Sequence, residues 1–184
     1  MAVSEDRRVR RTKTALQQAL ISLLQKQDCR SITVQELAET ADVHRATFYK
    51  HYQDVYDLYA QTEDEVIDAL SEIVSVNPYH SYEGVYMLLI DFIYDHAHLL
   101  RTLLGMRGTQ QFVQRFCAIL EERCLAIWMY EKQFPKITEE MKYTAVYHVQ
   151  GYLGVMERWL KQDMSMPRER LLQLLKQIGW EKTP

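Results

Sequence analysis

The sequence predicts an all-α protein of about nine helices. Only 6 of the 184 residues are Gly and 4 are Pro, so few positions interrupt a helix. Apolar residues recur at spacings of three and four along most of the chain, which is the period of a helix that buries one face. Hydrophobic residues make up 47% of the chain, which is enough for a sizeable core.

Charge is divided unevenly between the N-terminal third of the chain and the rest. Residues 1–53 carry nine Lys or Arg against six Asp or Glu, whereas the remainder carries thirteen against nineteen. The first part therefore carries +3 and the second −6, which together give the net charge of −3. We expect two domains, residues 1–53 and residues 54–184, of which the basic one is better suited to bind a polyanion.

The first helix is expected over residues 8–27, with an apolar stripe at helical spacing. The stripe consists of Val9, Leu16, Leu20, Leu23 and Leu24. Basic side chains crowd the start of this helix, and of these we select Arg10 and Lys13 as candidates for phosphate contact. The whole basic run is Arg7, Arg8, Arg10, Arg11 and Lys13. Such a run is also common as a solubilising tail.

A pair of short helices is expected next, joined by a tight turn. Thr33 followed by Glu36 predicts a capping box, in which the hydroxyl and the carboxylate each accept a hydrogen bond from a backbone N–H at the helix start. Asp42 falls at the turn, where Asp tolerates a left-handed backbone better than most residues. The second helix is expected over residues 44–52.

The second helix of this pair has the side chains that DNA recognition uses. Arg45 can donate two hydrogen bonds to guanine, and Thr47 can offer a hydroxyl or a methyl group to a base. Residues further along suit phosphate contacts, which fix position without reading sequence. The candidate DNA-binding residues of the pair are Thr33, His44, Arg45, Thr47, Tyr49, Lys50 and His51. The alternative is a surface helix pair with a solvated polar face.

The run AETADVHRATFYKHYQDVYDL resembles the signature of the TetR family of bacterial transcriptional regulators. The positions that match are Val43, Thr47, Phe48, Tyr49 and His51, with Tyr52 standing for the family Phe. The resemblance implies a helix-turn-helix domain followed by a helical bundle for dimerisation and ligand binding. It also implies a homodimer that binds a palindromic double-stranded DNA operator, most often as a repressor released by a small apolar ligand.

Three positions depart from the family signature. Asp42 replaces the usual turn glycine, and His44 replaces the helix-capping serine. Val55 stands where many relatives place a phosphate-binding lysine. The first two departures are expected to change how the recognition helix docks, and the third removes one phosphate contact per subunit.

Further helical segments are expected throughout residues 54–184. Asp54 followed by Asp57 caps the first of them. Asn77 and Pro78 end it, Gly105 and Gly108 mark a later break, and Pro at a first turn starts the last helix. The expected segments are 54–76, 81–97, a bend over 96–104, 110–132, 138–161 and 167–179.

The last two helices have more apolar surface than one small bundle needs, which predicts a two-fold four-helix interface. Gly151 and Gly154 remove side chains where another helix can approach closely. In the TetR family these two helices commonly form the dimer. The predicted interface residues are His148, Gly151, Tyr152, Val155, Trp159, Leu171 and Leu175. The alternative is that both helices pack only within their own subunit.

Met and aromatic side chains in the bundle suit an adaptable apolar pocket. The candidate lining residues are Met87, Phe92, Tyr94, Met106, Phe116, Trp128 and Tyr147. The same side chains suit a plain core equally well, and some TetR relatives respond to partner proteins. A TetR-like co-activator whose bundle binds a protein is therefore the alternative to a repressor that a small ligand releases.

No motif in the sequence indicates an enzyme. A Gly-rich phosphate loop, a nucleophile elbow and a paired His–carboxylate metal motif are all missing, so we expect no catalytic residue, cofactor or metal. No apolar run reaches the roughly 18 residues that span a bilayer, and no signal peptide opens the chain. We therefore expect a cytoplasmic protein without a membrane partner. A protein-interaction module without DNA affinity is the third functional class considered.

Overall fold

The computed structural model describes residues 2–76, 82–105, 109–131 and 133–179. These residues form nine α-helices, one short 3-10 helix and no β-strand, which confirms the predicted all-α class. The α-helices are α1 Ala2–Leu24, α2 Val34–Thr40, α3 Arg45–Phe48, α4 Val55–Val76, α5 Tyr82–Asp95, α6 Ala97–Leu103, α7 Gln110–Glu131, α8 Glu139–Lys161 and α9 Arg168–Gly179. The 3-10 helix, Cys29–Ser31, lies between α1 and α2.

Most helix starts in the described residues agree with the sequence-based prediction to within one residue. Helices α4, α8 and α9 each begin one residue after the predicted start. Helix α1 begins at Ala2, six residues earlier than predicted, because residues 2–7 contain no Gly or Pro that would stop the helix. The predicted helix end at Asn77 and Pro78, the helix start at Ser81, the break at Gly108 and the helix end at Lys132 lie outside the described residues.

Two compact units make up the chain, Met1–Val66 and Ile67–Pro184. The first unit thus continues beyond residue 53 and includes the first half of α4. Leu58, Thr62 and Val66 are buried there, and Gln17 of α1 donates a hydrogen bond to Glu65 of α4. Helices α1, α2 and α3 enclose little core by themselves, so the first turns of α4 complete it.

The core of the first unit joins its three N-terminal helices. Leu16 and Leu20 of α1, Leu37 of α2 and Phe48 of α3 are each at most 1% exposed. Full burial of such a side chain contributes about 1.5–3 kcal/mol. These four side chains therefore hold the short helices α2 and α3 against α1.

In the second unit, α7 packs along α8 and α5 packs along α9. The fully buried Phe112, Phe116 and Trp128 of α7 form the centre of its core. Two ion pairs also join α9 to α5: Arg168 Nη1 lies 2.8 Å from Asp91 Oδ1, and Lys176 pairs with Glu83. Because these pairs are exposed, packing rather than charge supplies most of the stability.

Threonine side chains cap two long helices of this unit. The Thr109 hydroxyl accepts a hydrogen bond from the Phe112 amide at the start of α7, and the Thr138 hydroxyl accepts one from the Met141 amide at the start of α8. Such caps satisfy backbone donors that the first helical turn leaves unpaired. None of the helices in the described ranges is long and apolar enough to cross a bilayer.

Candidate nucleic-acid interface

The start of α2 is held by the predicted Thr33 cap. The Thr33 hydroxyl accepts a hydrogen bond from the Glu36 amide at 3.1 Å. The Glu36 carboxylate, predicted to complete a capping box, instead accepts two hydrogen bonds from Gln27 Nε2, at 3.0 and 2.9 Å. This difference arises because the segment that follows α1 lies close enough to compete for the carboxylate. Glu36 therefore connects α2 to the turn after α1.

The turn between α2 and α3 is a Schellman motif. Asp42 has a φ of 53°, the Val43 amide donates to the Ala38 carbonyl at 2.9 Å, and the Asp42 amide donates to the Glu39 carbonyl at 3.2 Å. Glycine usually occupies the left-handed position of this motif because it has no β-carbon. Asp42 forms this turn, as predicted, so a left-handed residue is kept although glycine is replaced.

Helix α3 is shorter than predicted. It spans Arg45–Phe48, whereas the sequence predicted a helix over residues 44–52. Past Phe48 the amides of Lys50 and His51 donate to carbonyls three residues back, at 3.3 and 2.9 Å. The chain therefore continues as a tighter turn, which aligns its last residues with the start of α4.

That start is fixed by two aspartates. Asp54 Oδ1 accepts a hydrogen bond from the Asp57 amide at 2.9 Å, and Asp57 Oδ2 accepts one from the Gln53 amide at 2.8 Å. The backbone N–H of Gln53 and the Gln61 side chain lower the pKa of Asp57. The reciprocal cap makes the passage from α3 into α4 short and well defined.

Phe48 determines which side of α3 faces outward. Its side chain is fully buried, and its ring lies 5.5 Å from the Tyr49 ring and 5.6 Å from the Tyr52 ring, centroid to centroid. Arg45 and Tyr49 are both exposed. Arg45 Nη2 donates to the Tyr49 hydroxyl at 3.4 Å, and the guanidinium carbon lies 6.0 Å from the ring centroid. The guanidinium is therefore presented outward from the first turn of α3.

All nine candidate DNA-binding residues belong to the first unit, and none is buried. Six are exposed: Arg10, Thr33, His44, Arg45, Tyr49 and Lys50. Three are half-buried: Lys13, Thr47 and His51. Lys13 Nζ lies 5.8 Å from the centroid of the Tyr52 ring, which holds this ammonium group near the end of α3.

Three further arginines lie beside the turn. Arg7, Arg8 and Arg11 of α1 line a groove together with Ala41, Asp42 and Val43. The sequence-based candidates for phosphate contact in this basic run were Arg10 and Lys13, not these three. Their spacings of four (7 to 11) and three (8 to 11) place the three arginines on one helical face. This spacing could have been recognised in the sequence. The groove thus joins the basic end of α1 to the helix pair.

On the second unit, the predicted dimer residues fall into two groups. Tyr152, Trp159, Leu171 and Leu175 are 5%, 3%, 2% and 3% exposed, so they pack within their own subunit. These four cannot offer much surface to a second copy, because α8 and α9 bury them against α5 and α7. Gly151 is exposed, whereas His148 and Val155 are half-buried.

A neighbouring face of α8 is open. Tyr143 and Tyr147 are 76% and 71% exposed, and they are followed on the same side by Gly151 and Gly154. A β-carbon added at either glycine meets nothing within 4 Å. We call these four residues the α8 face. Spacings of four, four and three align them along one side of the helix.

The candidate pocket residues do not come together. Phe92, Phe116 and Trp128 are buried, whereas Met87, Tyr94 and Tyr147 are 42%, 45% and 71% exposed. Met106 lies outside the described residues. The set therefore mixes core and surface positions rather than lining one cavity. In the described part of the chain, no three His, Cys, Asp or Glu side chains are grouped to hold a metal ion.

Comparisons with known proteins point to one family. Residues 81–179 match the TetR-type family model described as transcriptional regulator C-terminal region. The chain is 37% identical over 90 residues to an uncharacterised HTH-type transcriptional regulator, YxbF of Bacillus subtilis (strain 168). That alignment covers 46% of this chain and 24% of the relative, so the matched stretch spans about a quarter of the curated protein.

Solved structures match over nearly the whole chain. A TetR transcriptional regulator from Streptococcus agalactiae 2603V is 26% identical, with a TM-score of 0.65 and coverage of 97% of this chain and 98% of that one. Two more distant structures are each 17% identical and show the shared fold alone. NalD, the secondary repressor of the MexAB-OprM multidrug efflux pump in Pseudomonas aeruginosa, has a TM-score of 0.69, with 92% and 95% coverage. DhaS, a dihydroxyacetone kinase operon activator, has a TM-score of 0.62, with 91% and 93% coverage.

Proposed function

This chain belongs to the TetR family of transcriptional regulators, and we propose that it is a homodimeric repressor that binds a palindromic DNA operator and is released by a small molecule. The family is a non-enzymatic class of protein, in agreement with the absence of catalytic motifs from the sequence. The proposal adds four specific elements to family membership: the DNA-contacting residues, the dimer, the sign of regulation and the effector.

The exposed Arg45 on an α3 anchored by Phe48 is the observation that carries the DNA-binding proposal. Helix-turn-helix proteins insert the second helix of the pair into the major groove, with its first residues toward base edges. Arg45 occupies such a position and is free of any acidic partner that the structure shows. Its guanidinium can donate two parallel hydrogen bonds to O6 and N7 of guanine. Thr47 lies in the same turn and contacts an adjacent base.

Phosphate contacts surround this base-reading turn. Tyr49, Lys50 and His51 follow α3, and Arg7, Arg8 and Arg11 line the groove beside the turn. Each cation that neutralises a phosphate releases counterions, so the group supplies affinity that falls with salt. Val55 is 5% exposed and packs in the core, so it makes no phosphate contact. The basic end of α1 compensates for the missing lysine.

A palindromic site has two half-sites, so its recognition requires two copies of α3, one from each subunit of a dimer. We assign the interface to the α8 face and the exposed Ile178 of α9, which is 56% exposed. Because Gly151 and Gly154 have no side chain, a second α8 can approach closely there. Tyr143 and Tyr147 supply aromatic area of the kind enriched at interfaces. The buried Tyr152, Trp159, Leu171 and Leu175 support this face from beneath.

Selection of DNA from a random library tests the proposal most directly. The purified chain should enrich a palindromic sequence whose half-sites are about one helical turn, or a multiple of it, apart. Its affinity for the selected site should fall steeply with salt. Enrichment of no sequence, or an affinity independent of salt, would contradict DNA recognition. A reporter driven from the selected site then gives the sign of regulation, and a co-activator would raise expression only with its partner protein.

A further inference from the structure

A pair of side chains at α3 joins the residue assigned to a base with a residue assigned to phosphate. Arg45 Nη2 donates a hydrogen bond to the Tyr49 hydroxyl at 3.4 Å, and the guanidinium carbon lies 6.0 Å from the ring centroid. The Tyr49 amide donates to the Arg45 carbonyl at 3.1 Å. The two residues are therefore one helical turn apart, and their side chains lie on the same side of α3.

The Tyr49 ring is itself held in place by the core. Its centroid lies 5.5 Å from that of the Phe48 ring, with the two planes at 88°, which is the edge-to-face arrangement that aromatic pairs favour. Phe48 is fully buried, whereas Tyr49 is 51% exposed. The core of the first unit thus orients an exposed ring, and this ring contacts the guanidinium of Arg45.

Both side chains can keep this contact while they bind DNA. A tyrosine hydroxyl can accept one hydrogen bond and donate another, and a guanidinium has five N–H donors. The Tyr49 hydroxyl can therefore accept from Arg45 and donate to a phosphate oxygen at the same time. One N–H of Arg45 is then used by Tyr49, and the others suffice for the two bonds that a guanine accepts.

The contact restricts a side chain that is otherwise free to adopt many rotamers. Ordering such a side chain when it binds costs free energy. The hydrogen bond from Arg45 to Tyr49 is long, so it limits the positions of the guanidinium without preventing its approach to a base. Restriction before binding favours the base that Arg45 fits and gives no advantage to other bases. The gain therefore appears as sequence preference.

We propose that Tyr49 is a positioning residue, which orients Arg45 toward one base of each half-site while its own hydroxyl binds the neighbouring phosphate. A residue assigned to affinity then also sets sequence preference. The inference rests on the proposed function, because it takes Arg45 to contact a base. Its first consequence, a restricted guanidinium, can be measured without DNA.

Nitrogen relaxation of arginine side chains in the whole chain, without DNA, tests the positioning step. The order parameter of Arg45 Nε should be lower in Tyr49→Phe than in the wild type, because this variant keeps the ring and removes the hydroxyl. Arg170, an exposed arginine of α9, is the internal reference and should be equally mobile in both proteins. An Arg45 order parameter that does not change would overturn the proposal.

Mobility shifts on the selected operator and its single-base variants test the effect on specificity. In Tyr49→Phe, the preference for the base that Arg45 contacts should fall about two- to tenfold, and affinity should also fall on every sequence because a phosphate contact is lost. In an Arg45→Ala background, Tyr49→Phe should lower affinity on every sequence and leave the remaining base preferences unchanged. Tyr130→Phe, at a position of α7 that is 58% exposed, is the matched control and should bind as the wild type does.

Two results would contradict different claims. If Tyr49→Phe lowers affinity on every sequence and keeps the full base preference, Tyr49 is a phosphate contact alone and the positioning role is refuted. If Tyr49→Phe frees the guanidinium but Arg45→Ala alters no base preference, the result refutes the base contact that the proposed function assigns to Arg45.

Discussion

At the level of single residues, α3 combines a buried anchor with exposed neighbours. Phe48 is fully buried and Tyr49 is 51% exposed, although the two are adjacent in the chain. Successive residues on a helix lie about 100° apart, so one can pack while the next faces solvent. A helix of four residues is enough for this arrangement because it is held by packing rather than by its own length.

Replacing Arg45 with Ala tests whether this residue reads a base. We expect operator affinity to fall by about 1–3 kcal/mol and the preference at one position of each half-site to relax. Quantitative mobility shifts on the selected site and on single-base variants measure both effects. Arg170→Ala changes an exposed arginine of α9 and should leave them unaltered. An equal loss on all sequences would assign Arg45 to a phosphate instead.

Tyr52 differs from the family Phe by a hydroxyl group that the structure leaves without a partner. The residue is 2% exposed, and its hydroxyl makes no hydrogen bond. Burial, with a smaller contribution from the carboxylates of Glu65 and Asp57, raises the pKa of Tyr52 to about 12. An unpaired buried hydroxyl of this kind destabilises the fold.

Tyr52→Phe should raise the free energy of unfolding at pH 7 by about 1 kcal/mol, because an unsatisfied buried group is removed. Because the pKa of Tyr52 is higher in the folded state than its ordinary value near 10, the wild-type fold keeps its full stability below pH 10 and loses some of it as the pH rises to about 12. The variant should accordingly lose less stability than the wild type between those values. Urea unfolding across this pH range measures both effects, and a less stable variant at pH 7 would show that the hydroxyl has a partner.

At the level of elements, the connections hold the helix pair in place. The turn residue Asp42 closes a Schellman motif, and Glu36 accepts hydrogen bonds from Gln27. Local spacing predicted the Thr33 cap and the turn correctly because both depend on neighbours within a few residues. The Glu36–Gln27 contact and the early end of α3 were missed, since each depends on packing against another element.

Asp42→Ala should destabilise the first unit by about 1 kcal/mol, because a β-carbon is unfavourable at a φ of 53° and Ala lacks the local hydrogen bonding that helps Asp there. Asp42→Gly is the matched control and should be at least as stable as the wild type. Denaturant midpoints of the three proteins provide the comparison. If Ala and Gly behave alike, the left-handed turn contributes no strain.

At the level of the whole molecule, α8 has two adjacent apolar surfaces, one buried within the subunit and one exposed. Met141, Ala145, Tyr152 and Trp159 form a buried stripe, and the α8 face lies beside it. Sequence periodicity predicted one apolar stripe and assigned it to the dimer. Spacing alone does not distinguish burial within a subunit from burial between subunits, since both remove apolar area from water in the same way.

Gly151→Arg should break the dimer, because it places a charged side chain where a second helix is expected to pack. We expect the dimer dissociation constant to rise at least about tenfold and operator affinity to fall with it. Analytical ultracentrifugation gives the first quantity, and circular dichroism confirms that the helices persist. Gln114→Arg, at an exposed position of α7, should remain dimeric. A Gly151→Arg variant that stays dimeric would move the interface elsewhere.

The sequence by itself determined the helical class, the positions of most helix starts and the helix-turn-helix signature, because caps, turns and the 3.6-residue period are local. Only the tertiary structure decided that Tyr152 and Trp159 belong to the core and that Arg7, Arg8 and Arg11 flank the turn. These features depend on residues far apart in the chain, whose proximity arises from packing and leaves no periodic trace in the sequence.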